Sequence, residues 1–378
     1  MSRAVYINKI SKFLPNKPVS NDQIEDRLGY VYDKPARSKS VVLRSNKIEN
    51  RYYAIDEDKN ITDTNAGMAS KAIRGLESDS FKVDDIDLIA SGTSTPDQLL
   101  PSHAAMVHGE LKSKSVEVNS FMGACVTGMQ AMKCAFLSVA SGDKDHAVST
   151  GSERCSTWLM AKNYKGGAET DNGIDSKPIL AFEKEFLRWM LSDGAGAALL
   201  EAEQKGDMSL RLEFIDIKSY ANELDSCMYA GAVKNEDGSL SGWSELEEAQ
   251  WMGDSVFAFK QDVRLLGENI MRLGGKFFVE TLDKRGLTPD DIDYFLPHIS
   301  SEFFRSKLHN ELALLGKEIT EEKWFTNLSR VGNVGAASIY LMLEELLYSG
   351  RLQKGERIFL CVPESARFQY AYALLTVV

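Results

Sequence analysis

The 378-residue sequence is poor in cysteine, in proline and in basic charge, and each shortage closes off a class of protein. Its five cysteines, at positions 125, 134, 155, 227 and 361, contain no CxxC pair and leave an odd count. Neither a disulfide framework nor a zinc ribbon is read from them, no metal is called for, and a reducing cytoplasm is the expected compartment. No stretch approaches the roughly 18 apolar residues that cross a bilayer, and Met1–Pro18 lacks an apolar core of signal-peptide length, so no membrane span is expected. Lys and Arg number 44 against 55 Asp and Glu, giving a net charge of −11. That balance disfavours a polyanion surface and removes nucleic acid from the expected partners. Only 9 prolines and 28 glycines are spread through the chain, which excludes collagen-like and low-complexity architectures.

What is present is a large apolar fraction, 43%, in a chain long enough for two or three globular units. The two halves repeat each other. Asp84-Asp85-Ile86-Asp87 leads into Leu88-Ile89-Ala90, and 206 residues later Asp290-Asp291-Ile292-Asp293 leads into Tyr294-Phe295-Leu296. Gly123-Ala124-Cys125 opens a helical pattern that stops at Gly142, and Gly332-Asn333 opens one that stops at Gly350; Cys125 to Gly142 and Asn333 to Gly350 each span 17 residues. Strand candidates follow, His146–Thr150 in the first half and Arg357–Val362 in the second. The spacing predicts buried strands over Val83–Ala90 and Val116–Asn119 and amphipathic helices over Thr64–Leu76 and Val126–Ala140. Met160–Lys177 and Asn235–Gly242 read as surface excursions. The expectation is an α/β chain of two related halves, 1–204 and 205–378, meeting near Glu203–Asp207, with helices packed on sheets.

Three residues gain chemical meaning from this repeat. Cys125 falls at the first turn of the expected helix, just after a strand, where unpaired N–H groups and the macrodipole favour a thiolate nucleophile; by itself it reads more readily as a small buried residue at a tight turn. His298 ends the strand candidate in Leu296-Pro297-His298 and Asn333 opens the second helix; alone, one is a satisfied imidazole and the other an N-cap. Equivalent helices facing each other across a pseudo-two-fold would bring all three together. A sulfur nucleophile with imidazole and amide donors suits reactions that stabilise a thioester carbonyl or its enolate.

These residues resemble the β-ketoacyl synthase III-like condensing enzymes of the thiolase fold. The resemblance spans essentially the whole chain, through Asp84–Ile89, Thr93-Ser94-Thr95-Pro96-Asp97 with Pro101-Ser102, Ala124-Cys125, Gly151-Ser152-Glu153, Asp193–Ala197, His298 and Gly332–Ser338. It implies a duplicated αβαβα layered fold with two mixed sheets, Cys125 as the acyl-accepting nucleophile, and His298 with Asn333 holding the second thioester carbonyl. It further implies backbone oxyanion donors at Cys125 and Ala366, a homodimer in which Leu100 completes the partner's acyl pocket, no cofactor, and acyl carrier protein or acyl-CoA as bearer of the substrates. Arg44, Arg305 and Lys307 are the candidates for carrier docking. Glu153 is a candidate auxiliary base, its alternative being a plain ion pair with Arg154 or another cation.

Departures from the fatty-acid-initiating members refine this. No aromatic clamp for a CoA adenine lies near Val41-Val42-Leu43-Arg44, Ile299-Ser300-Ser301-Glu302 replaces the motif after the histidine, and Pro363-Glu364-Ser365-Ala366-Arg367-Phe368 replaces a glycine-rich loop. With Arg44-Ser45-Asn46 and Arg51-Tyr52-Tyr53-Ala54, that last segment is similar to ketosynthases that make dialkylresorcinol precursors. This implies condensation of a β-ketoacyl with an α,β-unsaturated acyl thioester to a 2,5-dialkylcyclohexane-1,3-dione; fatty-acid initiation with malonyl carrier is the alternative. A cysteine hydrolase is disfavoured because the papain-like pattern around the cysteine is absent, and a non-catalytic scaffold because cysteine, histidine and asparagine are all in place.

Overall fold

The computed structural model describes residues 3–31, 35–36, 38–164 and 185–378; residues 165–177 of the expected excursion lie outside them. Nine strands form one mixed sheet: β1 (Tyr6–Phe13), β2 (Leu88–Thr93), β3 (Glu117–Met122), β4 (His146–Glu153), β5 (Gly194–Glu201), β6 (Leu210–Ser219), β7 (Tyr294–Pro297), β8 (Arg357–Glu364) and β9 (Gln369–Val377). Seven helices matter for the site: α1 (Ser38–Asn46), α2 (Asn65–Arg74), α3 (His103–Leu111), α4 (Thr127–Ser141), α5 (Val263–Arg285), α6 (Arg305–Leu314) and α7 (Ser338–Leu347).

The sheet runs β7-β8-β9-β6-β1-β5-β4-β2-β3. Its left half, β7 parallel to β8 and then antiparallel to β9 and β6, repeats the right half, β2 parallel to β4 and then antiparallel to β5 and β1. The two expected sheets are therefore continuous, joined by Tyr6 with Arg211 and Ile7 with Leu210. The repeated acidic motif has one job in both halves. The Asp87 carboxylate accepts the His146 N–H that starts β4 (3.1 Å), and Asp293 accepts the Arg357 N–H that starts β8 (2.8 Å).

The strand expected over Val83–Ala90 begins later, at Leu88, because Val83–Asp85 closes a 3₁₀ turn capped by Asp85 on the Lys82 N–H. The segment expected to be a buried strand at Val116–Asn119 is an edge strand, β3, half exposed because only β2 pairs with it. Asn235–Gly242 is part of a surface excursion as expected: it forms the turn and second arm of a hairpin in which Ala232–Lys234 and Leu240–Gly242 pair antiparallel.

Helices α4 and α7 lie at the centre. Their apolar faces, including Met129, Met132, Ile339 and Leu343, share one core with strands of both halves. Close approach there depends on glycine: a Cβ on Gly128 of α4 would meet the Ala336 carbonyl oxygen at 2.2 Å, and one on Gly151 of β4 would meet it at 2.1 Å. Backbone packed this tightly against backbone has no room for a side chain. Among the described residues, no helix is long and apolar enough to cross a membrane.

Candidate active site

The chain leaves β3 at Met122, turns through Gly123-Ala124-Cys125 and enters α4 at Thr127 with Val126 as its cap residue. Cys125 thus stands two residues before the helix rather than within its first turn. The Thr127 N–H and hydroxyl both donate to the Ala124 carbonyl (3.0 and 2.6 Å), which fixes the turn. Against the thiolate expected from the helix end, burial pushes the Cys125 thiol well up from its ordinary range, and the carboxylates of Glu364 and Glu153 push it further.

His298 follows directly on β7. Its N–H donates to the Cys361 carbonyl of β8 (2.8 Å), so the parallel strand pair sets its position. The side chain is 4% exposed, and burial lowers its pKa to about 4, which keeps the imidazole neutral at physiological pH.

Asn333 is held from both sides by backbone: its N–H donates to Met190 O (2.9 Å) and its C=O accepts from Ser192 N (2.8 Å). It does not open the helix. A 3₁₀ turn, Gly335–Ala337, intervenes before α7, and the Asn333 Oδ1 accepts the Gly335 N–H at 2.9 Å. With the oxygen engaged, the amide N–H₂ is the group left to donate.

Cys125, His298 and Asn333 all line one cavity, which encloses about 950 Å³ including space open to solvent. Away from these three the wall is mainly apolar, with Met190, Leu191, Met228, Phe259, Leu266 and Ile270 among its residues. Tyr370 and Tyr372 also line it, but their hydroxyls are spent on the Ile270 and Gly274 carbonyls of α5 (2.9 and 2.8 Å). Such a wall accepts a hydrocarbon chain and excludes water from the reacting end. Two further cysteines, Cys155 and Cys361, line the same cavity. Among the described residues, no cluster of three or more His, Cys, Asp or Glu side chains is placed to hold a metal.

Glu153 is not among the cavity's lining residues. It ends β4 fully buried and accepts from the Ser94 and Thr95 hydroxyls (2.7 Å each) and from the Ser94 and Ala336 N–H groups (3.1 Å each). Its carboxylate ties the end of β4 to the loop after β2 and to the turn before α7. Nor does it pair with Arg154, which reaches Asp97 at 3.0 Å instead.

Ala366 sits in the turn between β8 and β9; its carbonyl accepts from Cys227 N (2.9 Å) and Met228 N (3.2 Å). Ser365, its neighbour, lines the cavity, whereas Ala366 does not. Leu100 is 85% exposed and away from the cavity of its own chain. Arg44 is exposed on α1, and Lys307 is exposed on α6 with its ammonium 4.2 Å from the Phe303 ring centre. Arg305 is already engaged by Glu302 (2.6 Å) and Glu321 (3.8 Å) and lies over Trp324, so its charge is largely answered within the chain.

Sequence reasoning misses Glu364 as a site residue. It is 2% exposed at the end of β8, with Oε2 accepting the Val126 N–H (3.2 Å) and Oε1 accepting from Gln369 Nε2 (3.1 Å). The one available signal is a lone acidic residue ending an otherwise apolar strand.

Residues 282–363 match the family described as 3-Oxoacyl-[acyl-carrier-protein (ACP)] synthase III C terminal. Across 348 residues, 92% of each chain, the sequence is 26% identical to a β-ketoacyl-[acyl-carrier-protein] synthase III of Clostridium perfringens. In its C-terminal part and along its length the chain is thus similar to the β-ketoacyl synthase III-like condensing enzymes. Its thiolase fold is shared with Xanthomonas campestris OleA, in the structure of a cysteine-to-serine variant with bound lauric acid and lauroyl-CoA (TM-score 0.75, 21% identity, 100% of both chains). AbyA1, a tetronic acid condensing enzyme, has the same fold (TM-score 0.74, 20% identity, 98% of this chain and 99% of that one). These homologues are named for an acyl-condensing transferase.

Proposed function

We propose that this condensing enzyme joins two acyl thioesters through an acyl group carried on Cys125, and that His298 and Asn333 donate to the carbonyl oxygen of the second thioester as its carbanion forms. The supporting observation is that the sulfur, the imidazole and the amide line one cavity whose wall is otherwise mainly apolar. Acylation breaks the incoming thioester's C–S bond and forms a new one to the Cys125 sulfur; the thiol proton leaves with the departing carrier thiol. The N–H groups of Cys125 and Ala366 are the proposed donors to the oxyanion of that step.

The substrates we propose are a β-ketoacyl thioester and an α,β-unsaturated acyl thioester, closing to a 2,5-dialkylcyclohexane-1,3-dione. A carbon flanked by two carbonyls is far more acidic than one beside a single thioester, so two neutral donors stabilise its enolate without decarboxylation; overall its proton passes to the enoyl α-carbon and the ketoacyl C4 proton to the freed Cys125 thiol. Six-membered closure requires one bond from that carbon to the unsaturated β-carbon and one from the ketoacyl C4 to the Cys125-bound carbonyl, which frees the thiol. The ketoacyl carboxyl is lost as CO₂ after thioester hydrolysis.

Acyl carrier protein is the proposed bearer of both chains, docking at Arg44 and Lys307, with Arg305 contributing less for the reason above; acyl-CoA is the other donor. A homodimer is proposed to bring Leu100 to the partner's pocket. Its support is the open edge of β3 together with exposed Leu99, Leu100 and Met122 (67%), an apolar, unpaired edge of the kind proteins cover. Light scattering on wild type and Leu100→Asp tests it: a dimer weakened by the charge is expected, and a wild-type monomer refutes it.

Mixing the protein with acyl carrier thioesters is expected to add acyl mass to Cys125 and to no other cysteine, and Cys125→Ala is expected to abolish the adduct. Labelling that survives removes Cys125 as the nucleophile. A ring product from β-ketoacyl and enoyl thioesters together, with none from malonyl carrier and acetyl-CoA, supports the dione reading. The reverse outcome supports fatty-acid initiation, the activity that the name of the C. perfringens relative implies for that protein.

A further inference from the structure

The Pro363–Phe368 segment carries a buried carboxylate that the condensation above does not use. Glu364 is 2% exposed, and the charge-bearing oxygens meet only neutral donors: the Val126 N–H at 3.2 Å and the Gln369 amide at 3.1 Å, the latter in turn approached by Gln130 of α4 at 3.5 Å. Burial raises the carboxyl above its ordinary range, and the Ala124 N–H joins the Val126 and Gln369 donors in opposing that rise. No salt bridge to Glu364 occurs among the described residues. Burying a carboxylate without a cation is costly, yet this one is aimed at the two residues flanking Cys125.

We propose that Glu364 is a positioning residue for Cys125: it fixes the nucleophile's turn through the Val126 N–H and sets a negative charge beside that turn in the empty site, adding to what burial alone does to the sulfur. The groups acting on Cys125 are Glu364 from the end of β8, Glu153 from the end of β4, Cys155 just beyond β4 and the backbone of its own turn. His298, from the end of β7, lines the same cavity as a neutral ring. None of these is a cation that would hold a thiolate in the empty site. A resting thiol resists alkylation and oxidation by small electrophiles, which react with thiolate, whereas attack on a bound thioester can lose the proton as the new bond forms.

This inference rests on Cys125 being the acylated residue, but its test reads the sulfur directly, so the two readings fail separately. Cys125 alkylation by iodoacetamide is followed against pH, with peptide mapping to set aside the other four cysteines, in wild type and in Glu364→Gln. Glutamine keeps the shape and an acceptor for the Val126 N–H while removing the charge. The profile is expected to move to lower pH, with Cys125 alkylated about tenfold faster at pH 7.5, as a thiol ten times more acidic would be. An unchanged profile, or one moved upward, overturns the proposal. Should Glu364→Gln not fold, Gln369→Met at the start of β9 removes the donor to Glu364 Oε1 and disfavours its charged form. A smaller move in the same direction is then expected, and no move overturns the proposal equally.

Discussion

A neutral imidazole and a protonated thiol are the forms that burial imposes on His298 and Cys125, and this fixes what each can do. With its pKa near 4, His298 does not change charge between pH 5 and 8, so Cys125 acylation measured across that range should show no inflection near the ordinary histidine value; one near 6.5 would contradict the buried neutral ring. Asn333, with Oδ1 bound to Gly335, offers only its N–H₂. Removing one such donor in related catalytic settings costs on the order of 10²–10³ in rate. Asn333→Ala is therefore expected to lower C–C bond formation by about that factor while Cys125 still takes up acyl mass, and equal loss of both steps would deny it a role in the second. Cys125 and Asn333 are legible in the sequence because the internal repeat gives them equivalent places, and His298 joins them at a strand end; their roles come from the resemblance of the residues around them to family motifs. Glu153 misleads for a physical reason: adjacency to Arg154 suggests a pair, but successive residues at a strand end point to opposite sides, and Arg154 reaches Asp97 instead. Glu364 is illegible because an acidic residue leaving an apolar strand looks like a strand exit into water.

At the scale of elements, the site depends on how closely α4 and the turn before α7 approach. Gly128 and Gly151 both face the Ala336 carbonyl, and the Ala336 N–H is itself held by Glu153 at 3.1 Å. Gly128→Ala puts a methyl 2.2 Å from that oxygen, which backbone must move to relieve. Overpacking of this kind typically costs about 1–3 kcal/mol and sometimes more, so a urea midpoint lowered accordingly is expected, with slower acylation of Cys125; an unchanged midpoint would mean that the two elements are loosely joined. The element order is legible, since the Asp87 and Asp293 motifs each recur before a buried strand and each fasten the start of its parallel neighbour. Helix starts slip because irregular turns intervene: Val126 caps α4 after Cys125, and a 3₁₀ turn precedes α7 after Asn333. The exposure of β3 is not legible because edge and interior strands differ in what lies beside them, which a single segment does not encode.

Across the whole molecule, buried imidazoles and buried carboxyls pull the acid response of folding in opposite directions. His103 and His298 are both lowered to about 4, chiefly by burial, from an unfolded value near 6.5. Between those values the unfolded chain binds protons that the folded chain refuses, so the stability these neutral rings permit is full above about pH 6.5 and is lost as pH falls toward 4. Asp193 runs the other way. Its carboxyl, held up to about 6 by burial despite accepting the Ala54 and Ser156 N–H groups (2.7 and 2.8 Å), keeps its proton longer when folded. Its contribution is full below about pH 3.8 and is lost as pH rises through 6. Glu153, Glu185 and Glu364 are likewise raised by burial and act with Asp193 against the two imidazoles. A tenfold difference in proton affinity between the folded and unfolded chain is worth about 1.4 kcal/mol, so the contribution of a single imidazole is read by removing it. In His103→Gln, a side chain that can still hydrogen-bond the Ser152 hydroxyl now met by Nε2 at 2.9 Å, the urea midpoint at pH 5 should stand higher relative to that at pH 7 than it does in wild type. A difference between the two pH values that His103→Gln leaves untouched would place the acid response elsewhere in the chain.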